Sequence, residues 1–90
     1  MIKEYIKMEA EKTLKRVPEK ERDKVTQLWV LEFMSPSQGR ITDGFTEQKE
    51  ALDELSYRYE QCYMDDEGPP HLYTTKKEKD GTWLWEDISR

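Results

Sequence analysis

The ten residues 25–34, VTQLWVLEFM, limit the fold more than any other part of the sequence. They are rich in β-branched and aromatic side chains, and from Leu28 onward apolar residues occupy both alternating faces. Strands with this pattern lie inside a sheet and are covered on at least one side. We therefore predict a central strand here, with Trp29 and Leu31 in the hydrophobic core.

The remaining composition limits how large that core can be. The chain has 90 residues, the size of a single domain. Since 34% are hydrophobic and 39% charged, a large cofactor cavity would consume the core, and we predict no cofactor. No apolar run approaches the roughly 18 residues of a membrane span. A lone cysteine fits a reducing compartment, so we expect a soluble cytoplasmic protein.

A helix is predicted over residues 1–17. Apolar side chains recur there at a spacing of four, which places them on one narrow face: Ile2, Ile6, Ala10 and Leu14. Pro18 disfavours helical geometry at the residue before it, and residues 18–24 are highly charged. We interpret residues 18–24 as a connector and residues 25–90 as the α/β core of the single domain.

A second helix is predicted after Thr46, whose side chain suits an N-cap position. Its apolar stripe recurs at steps of three and four residues: Leu52, Leu55, Tyr59 and Cys62. Gly68 and two prolines end it. Before this helix, residues 35–39 have turn chemistry, and residues 40–42 are long enough only for a short returning strand.

The sequence Lys79-Asp80-Gly81 predicts a hairpin between residues 71–78 and 82–88. A two-residue loop would pair Lys77 with Leu84, whereas a three-residue loop with Gly81 as a bulge would pair Lys77 with Trp83. The second register separates two groups onto opposite faces: Leu72, Leu84 and Ile88 on one, and Tyr73, Trp83 and Trp85 on the other. We prefer it because the clustering is cleaner.

These elements predict an α+β fold, a small, mainly antiparallel sheet of three or four strands with a helix packed on one face and an additional N-terminal helix. The alternative is one parallel strand pair made by the crossover through the second helix. Both faces of the sheet carry apolar side chains. We therefore expect the first helix or a second subunit to cover the face opposite the second helix.

Catalytic and metal chemistry have little support in the sequence. Cys62 and His71 are the candidates for a nucleophile and its base, but no surrounding motif supplies an orienting group or oxyanion donors. One cysteine and one histidine cannot form a structural zinc site within one chain. The three consecutive acids at residues 65–67 lack the spacing of a calcium loop. We predict no catalytic residues, no metal site and no enzymatic activity.

The excess negative charge lies in residues 43–67, which contain nine acidic residues and two basic ones; an excess of two basic residues in residues 1–24 brings the net charge of the chain to -5. Most of these acids fall on the predicted outer face of the second helix and its extension. That predicted partner-binding surface consists of Glu47, Glu50, Asp53, Glu54, Tyr57, Glu60, Asp65, Asp66 and Glu67. It could dock on a basic protein surface by charge complementarity; the alternative is an ordinary solvated helix face.

The hairpin aromatics Tyr73, Trp83 and Trp85 form a second candidate surface, beside lysines at residues 76, 77 and 79. They could anchor a protein partner, stack single-stranded bases, or pack beneath the first helix. A sequence pI near 4.9 counts against nucleic acid, because phosphate neutralisation normally dominates such binding.

The leading hypothesis is a non-enzymatic protein-binding module that uses the acidic helix and the aromatic anchor, as a small inhibitor or accessory protein of a nucleic-acid-handling protein. In size, acidity and lack of catalytic motifs the chain is similar in style to small accessory proteins of phages and mobile elements, many of which bind and inhibit a host protein. The alternatives are a single-stranded nucleic-acid binder using the hairpin, and a structural homodimer with the first helix or the hairpin as its interface.

Overall fold

A computed structural model describes residues 2–35, 37–62 and 69–88. The elements are α1 (Glu4–Arg16), a 3₁₀ helix (Glu19–Lys24), β1 (Gln27–Ser35), β2 (Gly39–Phe45), α2 (Gln48–Cys62), β3 (His71–Lys77) and β4 (Trp83–Asp87). The strands form a four-stranded sheet in the order β2-β1-β3-β4, and each neighbouring pair is antiparallel. The predicted α+β fold and its element order are confirmed. Among the described helices, none combines the length and apolarity needed to cross a bilayer.

Strand β1 is the centre of the core, as its sequence predicts. All of residues 28–33 are buried. Trp29, Leu31 and Phe33 pack on the α2 side of the sheet, and Leu28 and Val30 pack on the α1 side. Helix α1 therefore covers the face opposite α2. The crossover through α2 makes no parallel pair among the described strands, because β1 lies between β2 and β3.

Strand β2 is longer than the predicted residues 40–42. It pairs with β1 along seven positions, from Trp29 opposite Phe45 to Ser35 opposite Gly39. Gly39 has a φ of +78°, which lets the chain turn back tightly after β1. The length of β2 follows from its long partner rather than from its own residues, since Asp43 and Gly44 are weak strand formers.

The β3–β4 hairpin has the preferred register. Lys77 lies opposite Trp83 and Thr75 lies opposite Trp85. Gly81 has a φ of +91°, and its N–H donates to the carbonyl of Glu78 at 2.9 Å. The next residue, Thr82, donates its N–H to the Asp80 carboxylate at 2.9 Å, which lowers the pKa of that carboxyl. The predicted three-residue loop with a glycine bulge is confirmed.

Helix α2 is rotated relative to its predicted apolar stripe. It begins at Gln48, and the carbonyl of Glu47 accepts the N–H of Ala51. Glu47 is therefore in the N-cap position, one residue after the predicted Thr46. Ala51 is fully buried, whereas Leu52 is 40% exposed and Tyr59 is 46% exposed. The assignment of Leu52 and Tyr59 to the core is therefore wrong.

The rotation has a steric cause. The small Ala51 side chain allows the α2 backbone to approach the sheet closely, and Leu55 then packs on the core one turn later. The Arg58 guanidinium lies 4.4 Å from the centre of the Phe33 ring and occupies the position expected for Tyr59. The side chain of Cys62, the last member of the predicted stripe, lies outside the described residues.

A buried carboxylate joins α1 to three strands. Glu32 of β1 is only 6% exposed on the α1 side. It accepts hydrogen bonds from the hydroxyls of Tyr5 in α1 and Tyr73 in β3, the latter at 3.3 Å. The Arg40 Nε of β2 lies 3.1 Å from the same carboxylate, and the Lys3 Nζ lies 3.9 Å away. These partners compensate the desolvation of the charge and hold α1 in register over the sheet.

Burial, and next the charge of Glu32, raise the pKa of Tyr73 from 10.0 to about 12. Because the folded-state pKa is raised, this group stabilises the fold fully below pH 10 and loses its contribution as pH rises toward 12. We expect Tyr73→Phe to remove the highest of the tyrosine ionisation steps in an ultraviolet absorbance titration. Tyr57→Phe is the control, since Tyr57 is 50% exposed. A Tyr73→Phe titration that keeps the step near pH 12 would contradict the assignment.

Helix α1 also approaches β2 very closely at Gly44. A Cβ at this position would overlap the Thr13 hydroxyl and lie 2.8 Å from the Thr13 Cβ. Thr13 is 3% exposed and donates its hydroxyl to the Glu9 carbonyl at 2.8 Å, so its side chain has little room to move. The missing side chain at Gly44 is therefore what allows α1 to settle on the sheet.

We expect Gly44→Ala to lower the free energy of unfolding by about 1–3 kcal/mol, the usual cost of overpacking. The cost should be smaller in a Thr13→Ala background, because the overlapping hydroxyl is gone. Urea denaturation of the parent, both single variants and the double variant measures this coupling. Strictly additive effects would show that the two positions do not compete for space.

Candidate binding groove

Strand β4 is the part of the sheet that the helices leave uncovered. The backbone of α1 lies close to β1 and β2, and that of α2 lies close to β1, β2 and β3; over the described residues neither helix backbone lies close to β4. On the α1 side this leaves a groove of about 650 Å³ between α1 and the β3–β4 hairpin. On the other side Leu84 is 54% exposed. The expectation that Leu84 shares a face with Leu72 and Ile88 is confirmed by the register.

Three aromatic rings form the apolar part of the groove. Tyr73 of β3 and Trp83 and Trp85 of β4 are all partly buried and line the groove together. Each also packs against the buried cluster that includes Ile6 and Ala10 of α1. The residues predicted as an aromatic anchor are thus brought into one site. The rings do contact the α1 side of the core, but they keep surface that faces the groove.

Thr75 is a groove residue that the sequence pattern did not single out. It is 1% exposed, and its hydroxyl finds no hydrogen-bond partner among the described residues. Leaving such a group unpaired costs about 1–3 kcal/mol. The hairpin register could have identified Thr75 as a groove residue, because Thr75 lies opposite Trp85 on the same face of the hairpin.

The charged residues around the groove are mostly acidic. Glu11 of α1 and Glu86 and Asp87 of β4 line it, with Lys7 as the basic member. All four are exposed. Among the described residues, the hairpin lysines at positions 76, 77 and 79 are not part of the lining. The groove is therefore suited to an apolar group that carries positive charge, and unsuited to phosphate.

The acidic face of α2 is a separate surface on the opposite side of the sheet. Glu47, Glu50, Asp53 and Glu60 are exposed there, and Tyr57 is 50% exposed. Asp53 is 2.9 Å from Lys49 and raises the pKa of that lysine. The predicted surface and the aromatic anchor therefore do not form a single site.

One member of the predicted acidic surface is less exposed than the others. Glu54 is only partly exposed and is bonded to Arg58 at 2.7 Å, so its carboxylate is less available on the outer face than predicted. Arg58 lies one turn after Glu54, and its guanidinium covers the Phe33 ring. The bond to Arg58 therefore holds Glu54 toward the sheet. Asp65, Asp66 and Glu67 lie outside the described residues.

The candidates for catalysis are not brought into an arrangement that the structure describes. His71 is exposed at the start of β3, with its Nδ1 3.5 Å from an Asp87 carboxylate oxygen. Its ring stacks on Tyr73 at 6.2 Å between centroids. Within residues 2–35, 37–62 and 69–88, no group of three or more potential metal ligands is found. The absence of enzymatic activity stays a prediction.

Comparison of the chain with protein-family models, with curated proteins and with solved structures finds no match in any of the three.

Proposed function

We propose that this protein is a non-enzymatic protein-binding module and that the groove beside β4 is its binding site. The observation that carries the proposal is the exposed surface of Tyr73, Trp83 and Trp85 in one groove next to an uncovered strand. Aromatic side chains in partly desolvated pockets are the usual energetic anchors of protein interfaces. Their positions on two paired strands restrict their movement before a partner arrives.

The charges support a basic partner. The groove is lined by three carboxylates and one ammonium, and the whole chain carries a net charge of -5. Opposite charge on a partner would accelerate association and orient it. Basic surfaces are common in proteins that bind nucleic acid. The form of this function that we propose is therefore inhibition or assistance of a nucleic-acid-handling protein.

The single-stranded nucleic-acid alternative has weaker support. Its aromatic platform is present, but the acidic groove lining would repel phosphates, and the hairpin lysines are outside that lining. The homodimer alternative places the acidic residues of two copies against each other, which costs binding energy.

Binding through the groove predicts a selective loss of partner capture. Immobilised parent protein, Trp83→Ala and Trp85→Ala are exposed to an extract of the source cells, and the captured protein is then titrated as a purified component. Each variant should weaken the affinity by about tenfold or more, since truncating an aromatic anchor often costs 2 kcal/mol or more. Tyr57→Ala removes an exposed aromatic on the opposite side and should retain binding.

Circular dichroism and urea denaturation establish that each variant is folded before capture is compared. A captured protein that binds the two tryptophan variants as tightly as the parent would overturn the groove as the binding site. An equal loss of binding by Tyr57→Ala would show that any exposed aromatic side chain contributes to capture, which would also contradict a specific site.

The role of the acidic α2 face is tested by charge reversal. Glu47, Glu50 and Glu60 are exposed on α2, and Glu19, Glu21 and Asp23 are exposed on the 3₁₀ helix, so both sets can be changed to lysine with the same change in net charge. If the groove is the site, we expect both triple variants to slow association with the captured partner to a similar extent, and salt to reduce the effect. A selective loss of binding with the α2 variant would move the site to that face.

A further inference from the structure

Strand β4 lies at the edge of the sheet. Two hydrogen bonds show which of its residues bond to β3 and which direct their backbone groups outward. The Ile88 N–H donates to the Leu72 carbonyl at 2.9 Å, and the Glu78 N–H donates to the Thr82 carbonyl at 2.7 Å. Both pairs lie directly opposite each other in the β3–β4 register. In an antiparallel ladder, directly bonded pairs alternate with pairs whose backbone groups point outward. The even-numbered residues of β4 therefore bond to β3, and Trp83 and Trp85 direct their N–H and C=O groups away from it.

The same two residues provide the aromatic side chains of the groove. A strand lying beside β4 would thus meet a row of backbone donors and acceptors, and its side chains facing the α1 side would lie over the two indole rings. In an antiparallel pair, residues opposite each other share a face. Alternate side chains of an added strand would fill the groove while the intervening ones remain outside it.

The edge has some of the features that prevent strand addition and lacks others. Edge strands are commonly blunted by proline, by lysine, by other charges or by a covering element. The β4 sequence WLWED ends in two acids but contains neither proline nor lysine, and over the described residues neither helix backbone lies close to it. Beneath it, the buried Thr75 hydroxyl is unpartnered among the described residues. The indole N–H of Trp29, on the other face of the sheet, is likewise unpartnered among the described residues, so the Thr75 hydroxyl does not by itself mark a site.

Building on the proposed function, we propose that the groove accepts an extended segment of a basic partner protein, which adds to β4 as a fifth strand of the sheet. Alternate apolar side chains of the segment contact Trp83 and Trp85, and the intervening Lys or Arg side chains lie on the other face of the sheet, on the side of Leu84 and Glu86. Backbone pairing supplies affinity in this mode, and the alternate side chains supply specificity. A second copy of this chain is disfavoured as the occupant, because it would bring Glu86 and the same net charge of -5 to the edge.

The test uses a synthetic heptapeptide of alternating Lys and Leu with blocked ends, titrated against the intact protein by tryptophan fluorescence. Two derivatives carry N-methyl groups, either on every leucine amide or on every lysine amide. In a paired strand only one of these two sets of amides faces β4. Methylation of that set should weaken the affinity about tenfold or more, whereas methylation of the other set should change the affinity less than about twofold. A Glu-Leu peptide of the same length should bind more weakly than the Lys-Leu peptide, because its charged side chains would lie on the side of Glu86 and the chain carries a net charge of -5.

Hydrogen exchange gives a second readout within the same strand. The backbone amides of Trp83 and Trp85 should become protected when the Lys-Leu peptide binds. The amide of Leu84, which lies between them and already faces β3, should change little. This alternation distinguishes backbone pairing from general burial of the hairpin.

Equal binding by both N-methylated peptides would overturn strand addition but leave the groove as a binding site. Absence of binding by the Lys-Leu peptide up to about 1 mM would also overturn it. Concentration-dependent dimerisation with protection of the Trp83 and Trp85 amides would assign the edge to a second copy instead. Failure of the proposed function itself is detected separately, by capture of a partner that is insensitive to Trp83→Ala and Trp85→Ala.

Discussion

Strand β1 needs a cover on each face, because residues 28–33 are all buried and their side chains alternate between the two sides of the sheet. Burial of such side chains contributes about 1.5–3 kcal/mol for each large aliphatic or aromatic group, which makes this strand the main source of stability. Over the described residues, α-helices of 13 and 15 residues supply these two covers. Both are placed over β1, and over the same residues neither helix backbone lies close to β4. The groove results from this shortage of apolar cover in a chain that is 39% charged.

The position of α1 decides on which side of β1 the groove opens. Glu32 attaches α1 through Tyr5, and the close approach of Thr13 to Gly44 holds the helix over β2. A buried carboxylate adds little net stability, since its desolvation offsets much of the attraction. Its partners come from three separate elements, α1, β2 and β3, however, so one arrangement satisfies it and displaced arrangements leave it unpaired. With α1 held toward β2, the opposite half of the same face stays open, and Trp83 and Trp85 are there.

Features that depend on local periodicity were predictable from the sequence. The strand at residues 25–34, the first helix and the hairpin register follow from spacing and from the Asp-Gly turn, and the shared face of Tyr73, Trp83 and Trp85 follows from the register. The rotation of α2 was not predictable in this way, because it depends on how closely Ala51 lets two backbones approach. The network around Glu32 and the isolated Thr75 hydroxyl depend on contacts between residues more than 20 positions apart. Periodicity contains no information about such contacts.

Charge along the sequence and charge at the groove have different consequences. The acidic face of α2 is on the far side of the sheet from the groove, and exposed charges are screened over about 8 Å at physiological ionic strength. Packed layers are separated by about 10 Å, so the α2 acids contribute to the long-range field and little to local selectivity. Under the proposed function, selectivity at the groove depends on the charged residues that line it directly, Glu11, Glu86, Asp87 and Lys7. Changes on α2 should therefore alter the rate of encounter, whereas changes at these four residues should alter which segment is retained.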